Sequence, residues 1–495
     1  MYSEISLPAL FGHFIALLHN PNNISTEAAK VGAYIEDEAI EKLAQMLGYG
    51  KGQATGHFTS GGTVANIEAL WRARYRVDHF ISLGCWLNLN TTEKLSVVQA
   101  AHMGWERYNS YLDQYQIPEN ELRKYSAVAN SPWQVMAVYQ KAFAINYSGP
   151  VVLVPNSKHY SWMKGVSLLG LGEEAFWPVN LDRNGILDIN DLKKKIEKAN
   201  SESRPVMMVV SVGGTTELGE FDPIHLVQDV LDSYLKTLRL DIWHHVDAAY
   251  GGYFCSMIGD TESDVDDVVM QALGAIGRVN SVTLDPHKLG YVPYACGAII
   301  VRDLLNYRVS AFDAKYIQSP DHSVDRWMKT LEGSRSASGA TATWMTGHTI
   351  GFDNNGYGKI LKRTIAGRNK IKDLMKESNS LVKVLEVPGL NLLSLSFIGE
   401  SKSLKQVNQQ TAKLVEKINE SNRFIVSKTF LKRPEYEELI QSAAKDWNLE
   451  VDDSGLVLLR LTVMNPFFLN KESNADYPAE FTQLVRELSV NLSGN

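Results

Sequence analysis

The chain has 495 residues, a formal net charge of −7, three cysteines and a 44% hydrophobic share. At about 100–200 residues per domain this length holds roughly two to four domains, and wholesale disorder is excluded. An acidic balance without a basic run argues against a nucleic-acid partner, and Cys85, Cys255 and Cys296 are too scattered for a disulfide framework or a thiolate metal site.

The first eighteen residues carry Ile5, Leu7, Leu10, Phe11, Phe14, Ile15, Leu17 and Leu18, with no Lys or Arg before Lys30. A secretory signal needs a basic start and a small-residue cleavage site, and a membrane span needs about 18–20 apolar residues. Neither pattern is found, so the reading is a cytoplasmic protein with no membrane partner. The N-terminal apolar residues call for burial, and a partner subunit is one candidate.

Next comes a glycine-rich turn, Thr59–Gly62, with a helix expected over Ile67–Phe80. Small residues at a helix start let backbone N–H groups approach an anion. The segment lacks a Walker lysine and is not G-x-G-x-x-G, so a single phosphate ester fits better than a nucleotide. Gly-Gly before a helix is otherwise only a turn.

Val151–Val154, between two prolines, reads as a strand. Just past it His159 could stack on a flat ligand or sit as a hydrogen-bonded loop histidine. A helix over Asp188–Asn200 has Ile189, Leu192 and Ile196 at helical spacing. The strand Val206–Val212 ends in Gly213-Gly214-Thr215-Thr216, whose hydroxyls could bind a ligand or form the turn. A helix over Ile224–Leu238 leads to the strand Ile242–Val246, closed by Asp247. That carboxylate could cap a turn or hold a cationic ring nitrogen. His244 and His245 alternate to opposite faces, which argues against a metal there.

The strand Ser281–Leu284 runs directly into Asp285-Pro286-His287-Lys288. A lysine directly after a buried strand either starts a solvated turn or is an imine-forming amine. Ala298–Val301 is the next strand. Short apolar strands separated by helices predict a mainly parallel sheet covered on both faces, with ligands beyond the strands' carboxyl ends.

After Gly358 the glycines thin out. Strands are expected at Val382–Val387, Leu390–Ile398, Phe424–Ser427 and Leu456–Val463, with helices at Leu404–Asn419 and near Pro478–Leu492. The expected division is an N-terminal helical segment over residues 1–56, a large domain over 57–358 and a small α/β domain over 359–495.

A phosphate cradle, a ring stacker, a hydroxyl donor, a carboxylate for a ring nitrogen and an imine lysine together form the inventory for pyridoxal phosphate. The stretches HFTSGGTVANIEALWRAR, VPNSKHYSW, HVDAAYGGY, TLDPHKLGYVPYACGAI, EGSRSASGATATWM and NGYGKIL extend this from His57 to Leu361. On them the chain resembles the group II pyridoxal-phosphate amino-acid decarboxylases, with the bacterial tyrosine decarboxylase branch the nearest likeness. The resemblance implies an α/β protein of the aspartate aminotransferase-like fold, fold type I.

It also implies roles. Lys288 bonds to the cofactor, Asp247 pairs with the pyridine nitrogen, His159 stacks on the ring and Ala249 lies against its other face. Thr216 contacts the ring substituents, and Gly62, Thr63 and His287 bind the phosphate. Relatives outside that branch often have Asn where Asp285 stands, and a carboxylate beside a phosphate repels it unless protonated or turned away. Tyr316, in the loop Asn306–Val324, matches the tyrosine that protonates the substrate carbon after carbon dioxide leaves. Tyr294 and Thr462 fall on the substrate side.

The implied activity is decarboxylation of an L-amino acid, tyrosine or another aromatic one, by a homodimer. A glutamate or aspartate decarboxylase is the alternative, with Arg335 and Arg460 the arginines to inspect. Relatives carry helices before the segment resembling PALFGHFIALLHNPNN, whereas here Met1 stands seven residues before Pro8. That departure predicts an uncovered Leu7–Leu18 face and makes a catalytically impaired, shortened relative a third reading.

Overall fold

The structure is a computed structural model that describes residues 3–260, 265–312, 325–326, 328–378, 381–469 and 475–493. Its larger sheet has seven strands: β1 (Ala54–Thr59), β2 (Val151–Pro155), β3 (Phe176–Val179), β4 (Val206–Val212), β5 (His244–Asp247), β6 (Ser281–Leu284) and β7 (Gly297–Arg302). Their order is β1-β7-β6-β5-β4-β2-β3. From β3 to β6 every pairing is parallel; β7 runs antiparallel to both β6 and β1. The strands β2, β4 and β6 are buried along their whole length; β2 and β4 are the near-continuous apolar runs that cover on both faces demands, whereas β6 also buries Ser281 and Thr283. On one face Ile300 packs with Val246 and Val282; on the other Ile299 packs with Ala65 and Ala69 of the helix Gly62–Asn90.

That helix is the longest element and exceeds the expected Ile67–Phe80 by several residues at each end. It is buried nearly all round, so it has no polar face to mark its extent. Its buried charges are paired: Glu68 with Arg72 (2.7 Å) and His57 (3.0 Å), Arg76 with Asp241, and Asp78 with the Ser126 hydroxyl (2.5 Å) and the Ala127 N–H (2.6 Å). Strands β1 and β3 were not expected. The sequence of β1, Ala-Thr-Gly-His-Phe-Thr, is not an apolar run. β3 carries Pro178, tolerated because β3 is an edge strand bonded only to β2. The strand expected at Ile242–Val246 lies two residues later in its start, at His244.

The smaller sheet is wholly antiparallel, in the order β10-β11-β9-β8: β8 (Val382–Leu385), β9 (Leu392–Phe397), β10 (Ser427–Lys432) and β11 (Gly455–Thr462). Helices Lys359–Ser378, Leu404–Glu420 and Tyr477–Ser493 cover one side, where Ile371, Leu414 and Phe481 meet Leu395 and Leu459. On the other side a helix not expected from the sequence, Glu437–Asp446, brings Leu439 and Ile440 against Leu181 and Leu218, which precede and follow β4. The expected strand Phe424–Ser427 is corrected to β10. Phe424 belongs to the small core, Ile425 is 82% exposed, and the pairing begins at Ser427 opposite Arg460. The alternating, half-exposed edge sequence Ser-Lys-Thr-Phe-Leu-Lys hid that strand.

Near the N-terminus the helix Leu7–His19 starts at Ser6, whose hydroxyl accepts the Ala9 N–H (3.3 Å), with Pro8 in its first turn. It packs through Ala9, Gly12 and Ala16 on the helix Ser338–Thr349. A Cβ at Gly12 would lie 2.7 Å from the Thr341 carbonyl oxygen, so only glycine permits this approach. The large residues Leu7, Phe11, Phe14, Leu17 and Leu18 face outward, each 52–69% exposed in the single chain. Among the described residues no helix is long and apolar enough to cross a membrane.

Candidate active site

The carboxyl ends of β2, β4, β5 and β6 and the start of the helix Gly62–Asn90 converge on a cavity of about 300 Å³. Its lining includes Gly62, Thr63, His159, Thr216, Asp247, Ala249, His287 and Lys288, so eight of the expected residues meet in one place. This is the crevice position that a parallel sheet offers a ligand.

Asp247, the last residue of β5, is 5% exposed. It accepts hydrogen bonds from Asn66 Nδ2 (2.8 Å) and Trp162 Nε1 (3.1 Å), both on one carboxylate oxygen. Asn66 also donates to Ser161 Oγ (3.0 Å), which lies 2.9 Å from His159 Nδ1. The carboxylate and the imidazole are thus joined through two side chains from different elements. Burial lowers the pKa of His159, against the opposing pull of Asp247. His244 and His245 are fully buried in hydrogen bonds, and burial lowers both to about 3. Among the described residues no cluster of three His, Cys, Asp or Glu side chains suits a metal ion.

The turn after β6 places Lys288 Nζ 3.0 Å from Asp285 Oδ2. His287 Nε2 lies 3.6 Å from the same oxygen, and its Nδ1 accepts the Cys296 N–H (3.2 Å). Burial lowers the His287 pKa. At the helix start, a Cβ on Gly62 would sit 3.0 Å from Asp285 Oδ2 and 3.1 Å from the Ala249 methyl. The bare backbone there leaves room for an oxyanion against the first-turn N–H groups. The Thr216 carbonyl, at the end of the β4 loop, accepts from Arg460 Nη1 (2.6 Å).

Other expectations fall outside this cluster. Tyr294 lies on the His287 ring, centroids 4.2 Å apart, and is 56% exposed; it does not line the cavity. Thr462 ends β11, paired with Leu392, and does not line it either. Tyr316 and residues 313–324 of the expected lid lie outside the described residues. Arg335 is buried against Glu36 and the carbonyls of Asn23 and Phe58, which makes it a structural cation rather than one facing a substrate. Asn66, Ser161, Trp162 and Ser157 were not singled out by sequence reasoning. Asn66 stands one helical turn after Gly62, and the other three lie beside His159 in the stretch VPNSKHYSW.

Two buried polar atoms on the lining, Asp285 Oδ1 and Ser157 Oγ, have no hydrogen-bond partner. A polar ligand would supply one. The donor set matches pyridoxal phosphate: an oxyanion cradle, a buried carboxylate for a ring nitrogen and a lysine for an aldehyde.

Fold and site together define a pyridoxal-phosphate enzyme of fold type I. The family model described as "pyridoxal-dependent decarboxylase conserved domain" matches residues 137–396, and the chain belongs to that family. It is a carboxy-lyase that uses pyridoxal phosphate to decarboxylate an amino acid. It is 27% identical to the L-tyrosine decarboxylase of Enterococcus faecalis, over 98% of this chain and 83% of that protein. It is 26% identical to the L-aspartate/L-glutamate decarboxylase of Pyrococcus horikoshii, over 76% of this chain and 72% of that protein. The solved structure of Oryza sativa TDC with PLP and tryptamine superposes with a TM-score of 0.70 at 17% identity, covering 99% of this chain and 82% of that one.

Proposed function

We propose that the chain decarboxylates an aromatic L-amino acid, tyrosine foremost, to the amine and carbon dioxide. The observation that carries the substrate class is the cavity lining: among the described residues there, Lys288 is the one Lys or Arg. A glutamate or aspartate side chain, desolvated in that cavity, would need a second cation. The likeness to an L-tyrosine decarboxylase supports the same choice.

Within this reading Lys288 provides the amine that bonds to the cofactor. Asp247, fixed by Asn66 and Trp162, holds a proton at the ring nitrogen. His159 and Ala249 lie against the two faces of the ring, and Thr216 lies beside its substituents. Gly62, Thr63 and His287 hold the phosphate. Bound pyridoxal phosphate supplies the electron sink for the bond that breaks as carbon dioxide leaves. Tyr316 protonates the substrate carbon. The exposed apolar side of the helix Leu7–His19 supports a homodimer in which a second copy covers it.

The test is carbon dioxide release from each of the twenty amino acids, with cofactor in excess. Tyrosine or another aromatic amino acid should give the highest rate. A dominant rate with glutamate or aspartate would overturn the substrate class.

A further inference from the structure

Asp285 is the one lining carboxylate that contacts the lysine. It is 3% exposed, with Oδ2 on Lys288 Nζ at 3.0 Å and Oδ1 without a partner. A Cβ on Gly62 would lie 3.0 Å from Oδ2 and 3.2 Å from Oδ1. The carboxylate therefore stands between the lysine and the backbone proposed to cradle a phosphate. Two difficulties follow. A lysine held as an ammonium by a carboxylate has no lone pair with which to attack an aldehyde. An ionised carboxylate next to a phosphate dianion is repelled.

One proton transfer removes both. We propose that Asp285 is a positioning residue for cofactor loading, holding Lys288 as the ammonium in the free chain and taking that proton when Lys288 bonds to the aldehyde. The Lys288 nitrogen forms a double bond to the aldehyde carbon. The aldehyde oxygen leaves as water with two of the three ammonium protons, and the third goes to Asp285. An ammonium and a carboxylate become two neutral groups. The Asp285 hydroxyl then donates a hydrogen bond to the phosphate, which partners the oxygen now left without one.

The other titratable groups facing Asp285 are His287, His159 and Cys296. Burial lowers the pKa of both imidazoles and keeps the Cys296 thiol protonated. None of the three competes well for the proton. The proposal rests on Lys288 being the cofactor lysine.

Calorimetric titration of the cofactor-free protein with pyridoxal phosphate, in buffers of differing ionisation enthalpy at one pH, counts the protons released. Asp285→Asn keeps the shape and removes the acceptor, so it should release one more proton per cofactor than the wild type. Equal counts would overturn the proposal. A second readout needs no variant. Infrared difference spectra of the wild type should gain a carboxylic-acid carbonyl band on loading, and no such band would overturn it equally. Buried acids whose protonation does not change on loading cancel in that difference. Failure of the underlying reading looks different: Lys288→Ala would still give a borohydride-reducible adduct.

Discussion

Asp247→Asn tests how the ring nitrogen is held, because the surroundings dictate which way the new amide turns. The two shorter donors, Asn66 Nδ2 at 2.8 Å and Trp162 Nε1 at 3.1 Å, point at one oxygen of the carboxylate, and the Ala249 N–H reaches the other at 3.4 Å, too long to hold an amide oxygen there against them. The amide oxygen must take that position, since an NH₂ group there would face two donors. The NH₂ then faces the cavity, and a ring nitrogen opposite it must accept rather than donate. The variant thus replaces an ionic hydrogen bond to a protonated nitrogen with a neutral one to an unprotonated nitrogen. A hydrogen bond to a charged group contributes about 1.5–3 kcal/mol, which is roughly 10- to 150-fold in cofactor affinity. Turnover should fall further, on the order of 10²–10³-fold, because a fixed charge that stabilises the reaction is gone. Cofactor affinity is read from fluorescence quenching and turnover from carbon dioxide release, with thermal unfolding as the control for folding. A variant within about threefold of wild type in both would refute the assigned role.

Gly62→Ala places a methyl 3.0 Å from Asp285 Oδ2 at the cradle, so cofactor affinity should fall about tenfold or more with little change in unfolding temperature; unchanged affinity would count against the cradle. Glu36→Gln strips the charge partner from the buried Arg335 and should destabilise the fold by about 3–5 kcal/mol, seen as a clear drop in urea midpoint. The pKa of Glu36 is lowered, chiefly by Arg335 against the cost of burial, and that of Glu68 is lowered to about 2 by His57 and Arg72. Their contribution is therefore complete above the ordinary carboxylate value of 4.5 and is lost as pH falls below it, for Glu68 as pH approaches about 2. Urea midpoints that stay flat from pH 6 to about pH 3 would contradict this. Phe11→Glu with Phe14→Glu should convert a sedimenting dimer to a monomer without loss of helix content; dimers unchanged by the pair would remove the helix Leu7–His19 from the interface.

The sequence made visible those parts of the fold that depend on continuous apolar runs. β2 and β4 are buried on both faces, and their runs of Val, Met and Leu announce it. β1 and β10 stayed hidden because polar and small residues fill them, and β3 because of Pro178. In the site, the readable residues follow strands or open a helix: His159, Thr216, Asp247, Lys288 and Gly62. Asn66, Ser161 and Trp162 act by reaching across from other elements, and their roles depend on tertiary placement. Arg335 shows the converse. As a bare arginine it was a substrate candidate, and only its pairing with Glu36, 299 positions away, reveals a structural role.

Borohydride reduction of the loaded protein, followed by mass mapping of its peptides, tests most sharply whether Lys288 bonds to pyridoxal phosphate in this cavity. A phosphopyridoxyl group should appear on Lys288 alone, with loss of the visible absorbance. The same group on another lysine, with Lys288 unmodified, would rule that bond out.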